Sequence, residues 1–142
     1  MYTLLDIGNT RTRIAIAHGD LIEEQKILPT AELTAAALAG YEQIFAACVV
    51  PEAKDRLQGV PITYLTAQNA GTLVDFSQVD TSTLGADRVA NCLAALDYPL
   101  PSIVIDCGTA ITLEVIDVHR VFRGGAILPG RKLMRQALHD HT

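Results

Sequence analysis

The chain has 142 residues, of which 49% are apolar and 19% charged, with a formal net charge of −5. This composition supports a packed α/β core and excludes a disordered or fibrous protein. An acidic chain without a basic run is poorly suited to bind nucleic acid or an anionic membrane. It has no apolar stretch near the roughly 20 residues that span a bilayer, no signal-peptide pattern and no paired cysteines. We therefore expect a cytoplasmic protein that binds neither nucleic acid nor a membrane.

The first 29 residues predict an antiparallel meander of three strands. Alternating apolar residues place the strands at 2–6, 12–17 and 21–28. Tight turns are expected at 7–10 and 18–20, because Gly and Asn tolerate positive φ angles.

Further along the chain, short helices and strands alternate. In chain order we expect a helix over 30–40, a buried and parallel strand over 44–50, a short helix from Pro51, a strand over 62–65, a helical turn over 67–73, an irregular segment over 74–84, a strong helix from Gly85 to Tyr98 and a strand over 102–106. This alternation is typical of an α/β fold.

An internal repeat is the most informative feature. A shift of 100 residues places 2–29 on 102–129 without a gap, and seven residues recur: Asp6, Gly8, Thr12, Ile16, Ile27, Leu28 and Pro29 on Asp106, Gly108, Thr112, Ile116, Ile127, Leu128 and Pro129. The period is too long for a solenoid. We therefore predict two related lobes that each open with a β-hairpin, 1–100 and 101–142, the second of them incomplete.

Each predicted hairpin carries an aspartate at the end of a strand, followed by a glycine-containing turn. The residues are Asp6, Gly8, Asn9 and Thr10 in the first hairpin and Asp106, Gly108 and Thr109 in the second. Such turns form concavities whose backbone N–H groups bind anions, and a carboxylate beside a phosphate makes sense when Mg²⁺ lies between them. Either hairpin alone could be an ordinary turn, but the duplication favours a cleft that binds a polyphosphate.

Charged residues outside the two turns allow two interpretations each. Arg11 and Arg13 share a strand face and could contact a phosphate or simply line a solvated edge. Asp87 could cap a helix, or act as the general base that takes a proton from a phosphoryl acceptor. In the second case Arg88 would bind an anionic group of the acceptor, and Asn91, one helical turn after Asp87, would orient either group.

A second glycine-rich stretch, 124–130, closes the repeat. It could lie near the acceptor or be a tight strand end before a basic helix. Cys107 is interpreted as a small packing residue, and the histidines show no metal spacing. The chain has no Walker, Rossmann or nucleophile-elbow motif.

These motifs resemble those of the acetate and sugar kinase, Hsp70 and actin superfamily. Within it, the chain resembles the type III pantothenate kinases, also called the Bvg accessory factor family. Four segments carry the resemblance in order: DIGNTRTR (6–13), LGADR (84–88) with Asn91, DCGTAIT (106–112) and GGAILPG (124–130). The resemblance implies an actin-like, ribonuclease H-like α/β fold with duplicated lobes. The family continues past the point that matches Thr142, so the chain resembles an amino-terminal portion.

The resemblance also implies a role for each matching residue. ATP phosphates would be bound by Asp6, Gly8, Asn9, Thr10, Arg13, Gly108 and Thr109, with Asp6 near Mg²⁺. Asp106 would ligate a monovalent cation, K⁺ or NH₄⁺. Pantothenate would be bound by Gly85, Ala86, Asp87 and Arg88, with Asp87 as the base. The tyrosine that the family has before this segment is absent here, and Phe76 is the nearest residue.

The resulting functional hypothesis is ATP-dependent phosphorylation of pantothenate by a homodimer, the first step of coenzyme A biosynthesis. One alternative is a non-catalytic nucleotide-binding or accessory protein, or an inactive fragment. Another is a kinase for a different small acid-bearing alcohol. An assay of ATP-dependent pantothenate phosphorylation separates the first hypothesis from the non-catalytic alternative, and thermal-shift profiling against pantothenate and a few sugars tests for a different acceptor.

Overall fold

Two units can be distinguished in the structure, a computed structural model that describes residues 1–141. The first comprises Met1–Thr66 and Gly85–Asp87, and the second comprises Ala67–Leu84 and the chain from Arg88 onward. None of the described helices is long and apolar enough to cross a bilayer. The predicted lobe boundaries, 1–100 and 101–142, stay a prediction.

A five-stranded mixed sheet, in the order β3-β2-β1-β4-β5, forms the first unit. Its strands are β1 (Tyr2–Ile7), β2 (Arg11–His18), β3 (Leu21–Pro29), β4 (Ile44–Cys48) and β5 (Ile62–Tyr64). The first three pair antiparallel, β4 runs parallel to β1, and β5 runs parallel to β4. This confirms the predicted meander and the predicted parallel strand.

The core of the first unit lies on one face of this sheet. Leu5 and Ile7 point to that face because side chains alternate along a strand. They form one buried cluster with Leu33, with Leu38 and with Leu57, which directly follows helix α1 (Pro51–Arg56). The segments after β3 therefore cover this face of the meander.

The single helix predicted over 30–40 is wrong. The chain forms two 3-10 helices instead, Thr30–Glu32 and Ala35–Leu38. Thr34 separates them in an extended conformation, with φ of −135° and ψ of 165°, and its side chain accepts a hydrogen bond from the Ala37 N–H at 3.3 Å. Thr34 is therefore the N-cap of the second helix, and its extended backbone interrupts a continuous helix over 30–40.

A three-stranded antiparallel sheet, in the order β6-β7-β8, forms the basis of the second unit. The strands are β6 (Ser102–Cys107), β7 (Ala110–Ile116) and β8 (Phe122–Pro129), and the helices are α2 (Ala67–Ala70), α3 (Ala86–Ala94) and α4 (Arg131–His141), with a 3-10 turn over Ala95–Asp97. The first two residues of α3 belong to the first unit. Two mixed or antiparallel sheets that open in β-hairpins confirm the predicted α/β class and are compatible with an actin-like fold.

The sheet of the second unit is buried on one face. Thr112, Glu114 and Ile116 of β7 are buried, and α3 reaches the same face through its contacts to Glu114. On the opposite face, Ile103 and Ile105 are more than 60% exposed. The apolar residues of this meander are therefore only half covered.

The gapless alignment of the two meanders is wrong by one residue in the middle strand. Asp6 pairs with Arg13, whereas Asp106 pairs with Thr112 rather than with Leu113. The pairing of β7 with β8 shows the same offset. The outer strands thus match at the predicted shift. The matches of Thr12 to Thr112 and of Ile16 to Ile116 do not hold, because the second turn is one residue shorter.

Candidate functional site

The turn of the first hairpin is closed by backbone and hydroxyl hydrogen bonds. The Gly8 N–H donates to the Arg11 carbonyl at 3.1 Å, and the Thr30 N–H donates to the Thr10 carbonyl at 3.1 Å. The Thr30 hydroxyl donates to the Gly8 carbonyl at 2.6 Å and lies 3.1 Å from the Thr12 hydroxyl. Buried Thr30 therefore fixes the turn from behind and leaves Asn9 and Thr10 on the surface.

The glycine of this turn is not needed for a positive φ angle, contrary to the prediction. Neither Gly8 nor Asn9 has one, whereas Gly19 in the following turn has a φ of 58°. A Cβ atom at Gly8 would lie 3.3 Å from the Arg11 carbonyl oxygen, closer than most such contacts. The absence of a side chain at Gly8 therefore allows this close backbone approach without a shift of the neighbouring strand.

Asp6 and Arg13 form an ion pair beside this turn. Arg13 donates to the Asp6 carboxylate at 2.6 Å, and both side chains are about half exposed. The two residues are direct partners across β1 and β2. Arg11 and Arg13 are both exposed and alternate with buried Thr12, as predicted for one strand face.

The turn of the second hairpin has the same backbone arrangement with a different anchor. The Gly108 N–H donates to the Ala110 carbonyl at 2.8 Å, and the Gly130 N–H donates to the Thr109 carbonyl at 2.9 Å. A Cβ atom at Gly130 would overlap the carbonyl oxygens of Gly108 and Thr109. Gly130 thus occupies the position that Thr30 has in the first hairpin.

Asp106 is exposed and lies across the strand pair from Thr112. The Thr112 hydroxyl is buried without a hydrogen-bond partner. Directly paired residues share a face of the sheet. A carboxylate beside an unpartnered hydroxyl oxygen is a donor set of the kind that hard cations use.

Among residues 1–141 no group of three or more His, Cys, Asp or Glu side chains could by itself hold a metal ion. Asp6 and Asp106 could each supply one carboxylate to a cation, with phosphate and water oxygens as the other ligands. This agrees with the usual binding of Mg²⁺ by one or two carboxylates and phosphates.

Asp87 is the second residue of α3 and lies in its first turn. Its Oδ1 atom occupies the space where a Cβ atom at Gly85 would stand, and Val49 Cγ1 lies 3.5 Å from the same point. Gly85 therefore makes room for the Asp87 carboxylate. This geometry agrees both with a helix-capping aspartate and with a general base.

Arg88 contacts residues of both β7 and β8. Its Nε donates to Glu114 Oε1 at 2.8 Å, and a terminal nitrogen donates to the Leu113 carbonyl at 3.1 Å. The guanidinium carbon lies 5.7 Å from the centre of the Phe122 ring. Asn91 donates to Glu114 Oε2 at 3.3 Å. A buried polar cluster of Arg88, Asn91 and Glu114 thus lies between α3 and β7.

Sequence reasoning missed Glu114. The available signal was a lone carboxylate within the otherwise apolar strand 110–116, because a carboxylate in such a strand requires a charged partner. Glu114 is completely buried. Burial of the neighbouring Cys92 thiol, with a smaller contribution from the Glu114 charge, raises the pKa of that thiol from 9.0 to about 12.

Gly125 in the glycine-rich stretch leaves space for the Arg88 guanidinium. A Cβ atom at this position would overlap the Leu113 backbone and lie 2.8 Å from an Arg88 terminal nitrogen. The stretch is therefore both a strand end and a neighbour of a predicted acceptor-binding residue. Phe76, the nearest match to the family's tyrosine, is buried and lies 5.7 Å from Phe122, ring centre to ring centre.

The predicted site residues fall into both units. The first unit holds Asp6, Gly8, Asn9, Thr10, Arg13, Gly85, Ala86 and Asp87, and the second holds Arg88, Asp106, Gly108 and Thr109. Within the first unit the structure brings together the hairpin residues Asp6 and Arg13, and separately Gly85 and Asp87. Within the second unit it joins Arg88 to Asn91 and Glu114. The roles of all these residues in binding and catalysis stay predictions.

The paired β-meanders with aspartate-glycine turns define the class of α/β proteins with duplicated, actin-like hairpins. The family model for type III pantothenate kinase matches residues 3–142. The chain belongs to this family, and the resemblance inferred from its four motifs is confirmed.

Curated relatives carry the same family name. A type III pantothenate kinase from Akkermansia muciniphila is 33% identical over 99% of this chain and 62% of its own length. The enzyme from Chlorobium chlorochromatii is 31% identical over 98% of this chain and 60% of its own, and that from Gloeobacter violaceus is 35% identical over 100% and 61%. The chain thus spans about three fifths of the length of these relatives.

Proposed function

We propose that the protein carrying this chain transfers the γ-phosphoryl group of ATP to the primary hydroxyl of pantothenate. The product would be 4'-phosphopantothenate, in the first step of coenzyme A biosynthesis. The observation that carries the proposal is the family match over residues 3–142, shared with relatives named for this activity. The Asp-Gly turns and the carboxylate at the start of α3 supply the groups that such a transfer needs.

The hairpin turns would bind the phosphates of ATP. Gly8, Asn9 and Thr10 in the first turn, and Gly108 and Thr109 in the second, offer backbone and side-chain donors to anionic oxygens. The Arg13 guanidinium is accessible to a ligand because its ion pair with Asp6 is half exposed. On binding, it would exchange part of its interaction with Asp6 for a hydrogen bond to a phosphate oxygen.

The acidic residues of the two hairpins fit the cations that the family implies. Asp6 would hold Mg²⁺ together with phosphate oxygens, and Asp106, with the Thr112 hydroxyl across the strand pair, would hold K⁺ or NH₄⁺. When bound, these cations supply positive charge that offsets the charge of the phosphates.

Asp87 would act as the general base. It would accept the proton of the pantothenate hydroxyl as that oxygen attacks the γ-phosphorus in line, while the bond to the β-γ bridging oxygen breaks and ADP leaves. Gly85 and Ala86 would line the acceptor position, and Arg88 would contact the pantothenate carboxylate. Positioning and charge stabilisation would supply most of the rate enhancement.

Replacing Asp87 tests the base directly. In the complete gene product, Asp87→Asn should lower kcat by about 100-fold or more, because general base catalysis contributes that much, and it should leave ATP binding unchanged. Steady-state ADP release with pantothenate and equilibrium ATP binding measure the two quantities. Asp97→Asn, at an exposed position after the same helix, is the matched control. Near-normal kcat in Asp87→Asn would contradict the base assignment.

Gly85→Ala tests the same carboxylate without removing it. The new methyl group would take the space of Asp87 Oδ1, which lies at the end of a rotatable side chain. We expect a lower kcat with a melting temperature close to that of the wild type, because the side chain can turn away. Unchanged kcat would show that the observed position of the Asp87 carboxylate is not the one used in catalysis.

The homodimer, the cytoplasmic location and the use of a monovalent cation, K⁺ or NH₄⁺, belong to this proposal as well. They would be tested by the mass of the complete gene product in solution, by its location in the cell and by activity in different monovalent salts. Failure of the wild type to form ADP in a pantothenate-dependent reaction would favour the non-catalytic alternative.

A further inference from the structure

We propose that Glu114 is a positioning residue that sets the preference of the site for an acceptor with a carboxylate, by holding the Arg88 guanidinium. This inference rests on the proposed function, in which Arg88 contacts the acceptor. Glu114 itself contacts neither acceptor nor nucleotide in this proposal; it acts through Arg88.

Burial is the first reason. Glu114 is 0% exposed, and the Arg88 side chain is 14% exposed. A buried carboxylate is costly unless a cation and hydrogen bonds compensate for its charge, and breaking such a pair is far more disruptive than its net contribution to stability suggests. The two side chains therefore constrain each other strongly.

The geometry of the guanidinium is the second reason. Glu114 accepts from Arg88 Nε at 2.8 Å, the Leu113 carbonyl accepts from a terminal nitrogen at 3.1 Å, and the ring of Phe122 lies below the group. Gly125 leaves the space for it. A planar group with contacts on two edges and one face has a fixed orientation, and such preorganisation makes anion recognition specific.

Asn91 extends the same control to a second side chain of α3. It donates to the other oxygen of Glu114 at 3.3 Å, so one carboxylate orients both polar side chains that α3 directs toward β7. A change at Glu114 should therefore alter recognition of the acceptor's charged end and leave nucleotide binding unaffected.

The test compares pantothenate with its uncharged alcohol analogue, in which a hydroxymethyl group replaces the carboxylate. The ratio of the two kcat/KM values does not depend on the folded fraction of a preparation. In the complete gene product, Glu114→Gln should reduce this ratio about tenfold, since a hydrogen bond to a charged group is worth that factor. The KM for ATP should stay within about twofold of the wild type.

Asp117→Asn is the matched control. Asp117 also pairs with an arginine in the second unit, Arg123, at 2.7 Å, but it lies beyond the end of β7 and outside the buried polar cluster. Both variants should lower the melting temperature, and only Glu114→Gln should change the acceptor ratio. Glu114→Asp, which keeps the charge and withdraws the carboxylate by one methylene, should lower the ratio too.

Arg88→Lys completes a double-mutant cycle. If Glu114 acts through Arg88, then Glu114→Gln should add little to the loss of preference in the Arg88→Lys background. An unchanged ratio in both Glu114 variants, or additive effects in the cycle, would overturn the inference while the proposed function stands. A wild type with no pantothenate-dependent ADP formation would overturn the proposed function, and the inference with it.

Discussion

The turn of the first hairpin is anchored by a side chain, and the turn of the second by bare backbone. Thr30 and Gly130 donate equivalent N–H bonds, to Thr10 and Thr109 respectively. Only Thr30 adds a hydroxyl bond, whereas the second turn is so close to Gly130 that no Cβ atom fits. The comparison shows that the two hairpins share their backbone bonds and differ in what surrounds them.

A second difference lies in the charge across each strand pair. Asp6 faces Arg13 and forms an ion pair with it, while Asp106 faces Thr112. The first hairpin therefore carries its own counter-charge. In the second hairpin the residue opposite the aspartate is neutral, which is the better arrangement for a site that binds a cation.

The two hairpins also differ in how their first strands, β1 and β6, are covered. Leu5 is 3% exposed under the segments that follow β3, whereas Ile105, its match in the repeat, is 61% exposed. The same strand pattern thus serves as core in one unit and as surface in the other. A sequence repeat predicts the strand but does not predict which face is buried.

The largest difference in stability between the two hairpins is expected on substitution of Gly130. Gly130→Ala should destabilise the protein by about 3 kcal/mol, because the methyl group overlaps two carbonyl oxygens that cannot move independently. Thr30→Ala should cost less, about 1 to 2 kcal/mol, since it removes the hydrogen bond of the hydroxyl to the Gly8 carbonyl and its hydrogen bond with the Thr12 hydroxyl. Chemical denaturation of both variants measures the difference. Equal losses in the free energy of unfolding would show that the second turn can accommodate a methyl group at position 130.

A smaller effect is expected from the residues opposite the two aspartates. Thr112→Val should raise the free energy of unfolding by up to about 1 kcal/mol, because it removes a buried hydroxyl that has no partner. Arg13→Ala should lower it by less than about 1 kcal/mol, since the ion pair is exposed. Denaturation without added ligands tests both.

The same Thr112 variant tests the cation site. In a kinase assay, Thr112→Val should require more K⁺ for half-maximal activity, if its hydroxyl contributes to the site beside Asp106. A lower stability in the absence of ligands would show that the hydroxyl has a partner in the folded protein.

The smallest effect is a difference in thiol reactivity. Cys107, at the end of β6, is exposed, so the packing role predicted for it is wrong, whereas Cys48 and Cys92 are buried. Iodoacetamide under native conditions should therefore modify Cys107 alone, with little change in melting temperature, and peptide mass spectrometry identifies the site. Modification of Cys48, the last residue of β4 and part of the buried cluster, would indicate local opening of the first unit.

The Cys92 thiol makes the free energy of unfolding depend on pH in the alkaline range. Burial raises its pKa from 9.0 to about 12, with a further contribution from Glu114. In the unfolded chain the thiol ionises at the lower pH, so the unfolded state binds fewer protons between these values. The free energy of unfolding should therefore decrease as pH rises from 9.0 toward 12, which denaturation at a series of alkaline pH values measures.

Most elements of the fold could be predicted from the sequence, because alternation and turn residues act locally. Six of the eight strands were predicted from residue patterns along the chain, and β7 and β8 were predicted from the internal repeat. The 3-10 helices at Thr30 and Ala35 could not be predicted, because the effect of Thr34 depends on Leu33 and Leu38 being held in the core.

The site was predictable at its turns and less so at its buried contacts. Asp6, Gly8, Asp106 and Gly108 stand out as a duplicated pattern. The partner of Arg88 does not, because α3 and β7 are separated along the chain and only their packing brings Glu114 to the guanidinium.

The one-residue offset of β7 has a practical consequence for engineering. A chimaera that replaces β7 by β2 at the 100-residue shift and keeps the second turn would place every β2 side chain on the face opposite to the one it has in the first hairpin. Thr12 would pair with Asp106 in such a graft, whereas a shift of 99 residues would place it at the position of Ile111, opposite residue 107. Hybrid hairpins should therefore be aligned by the pairing of their strands rather than by residue number.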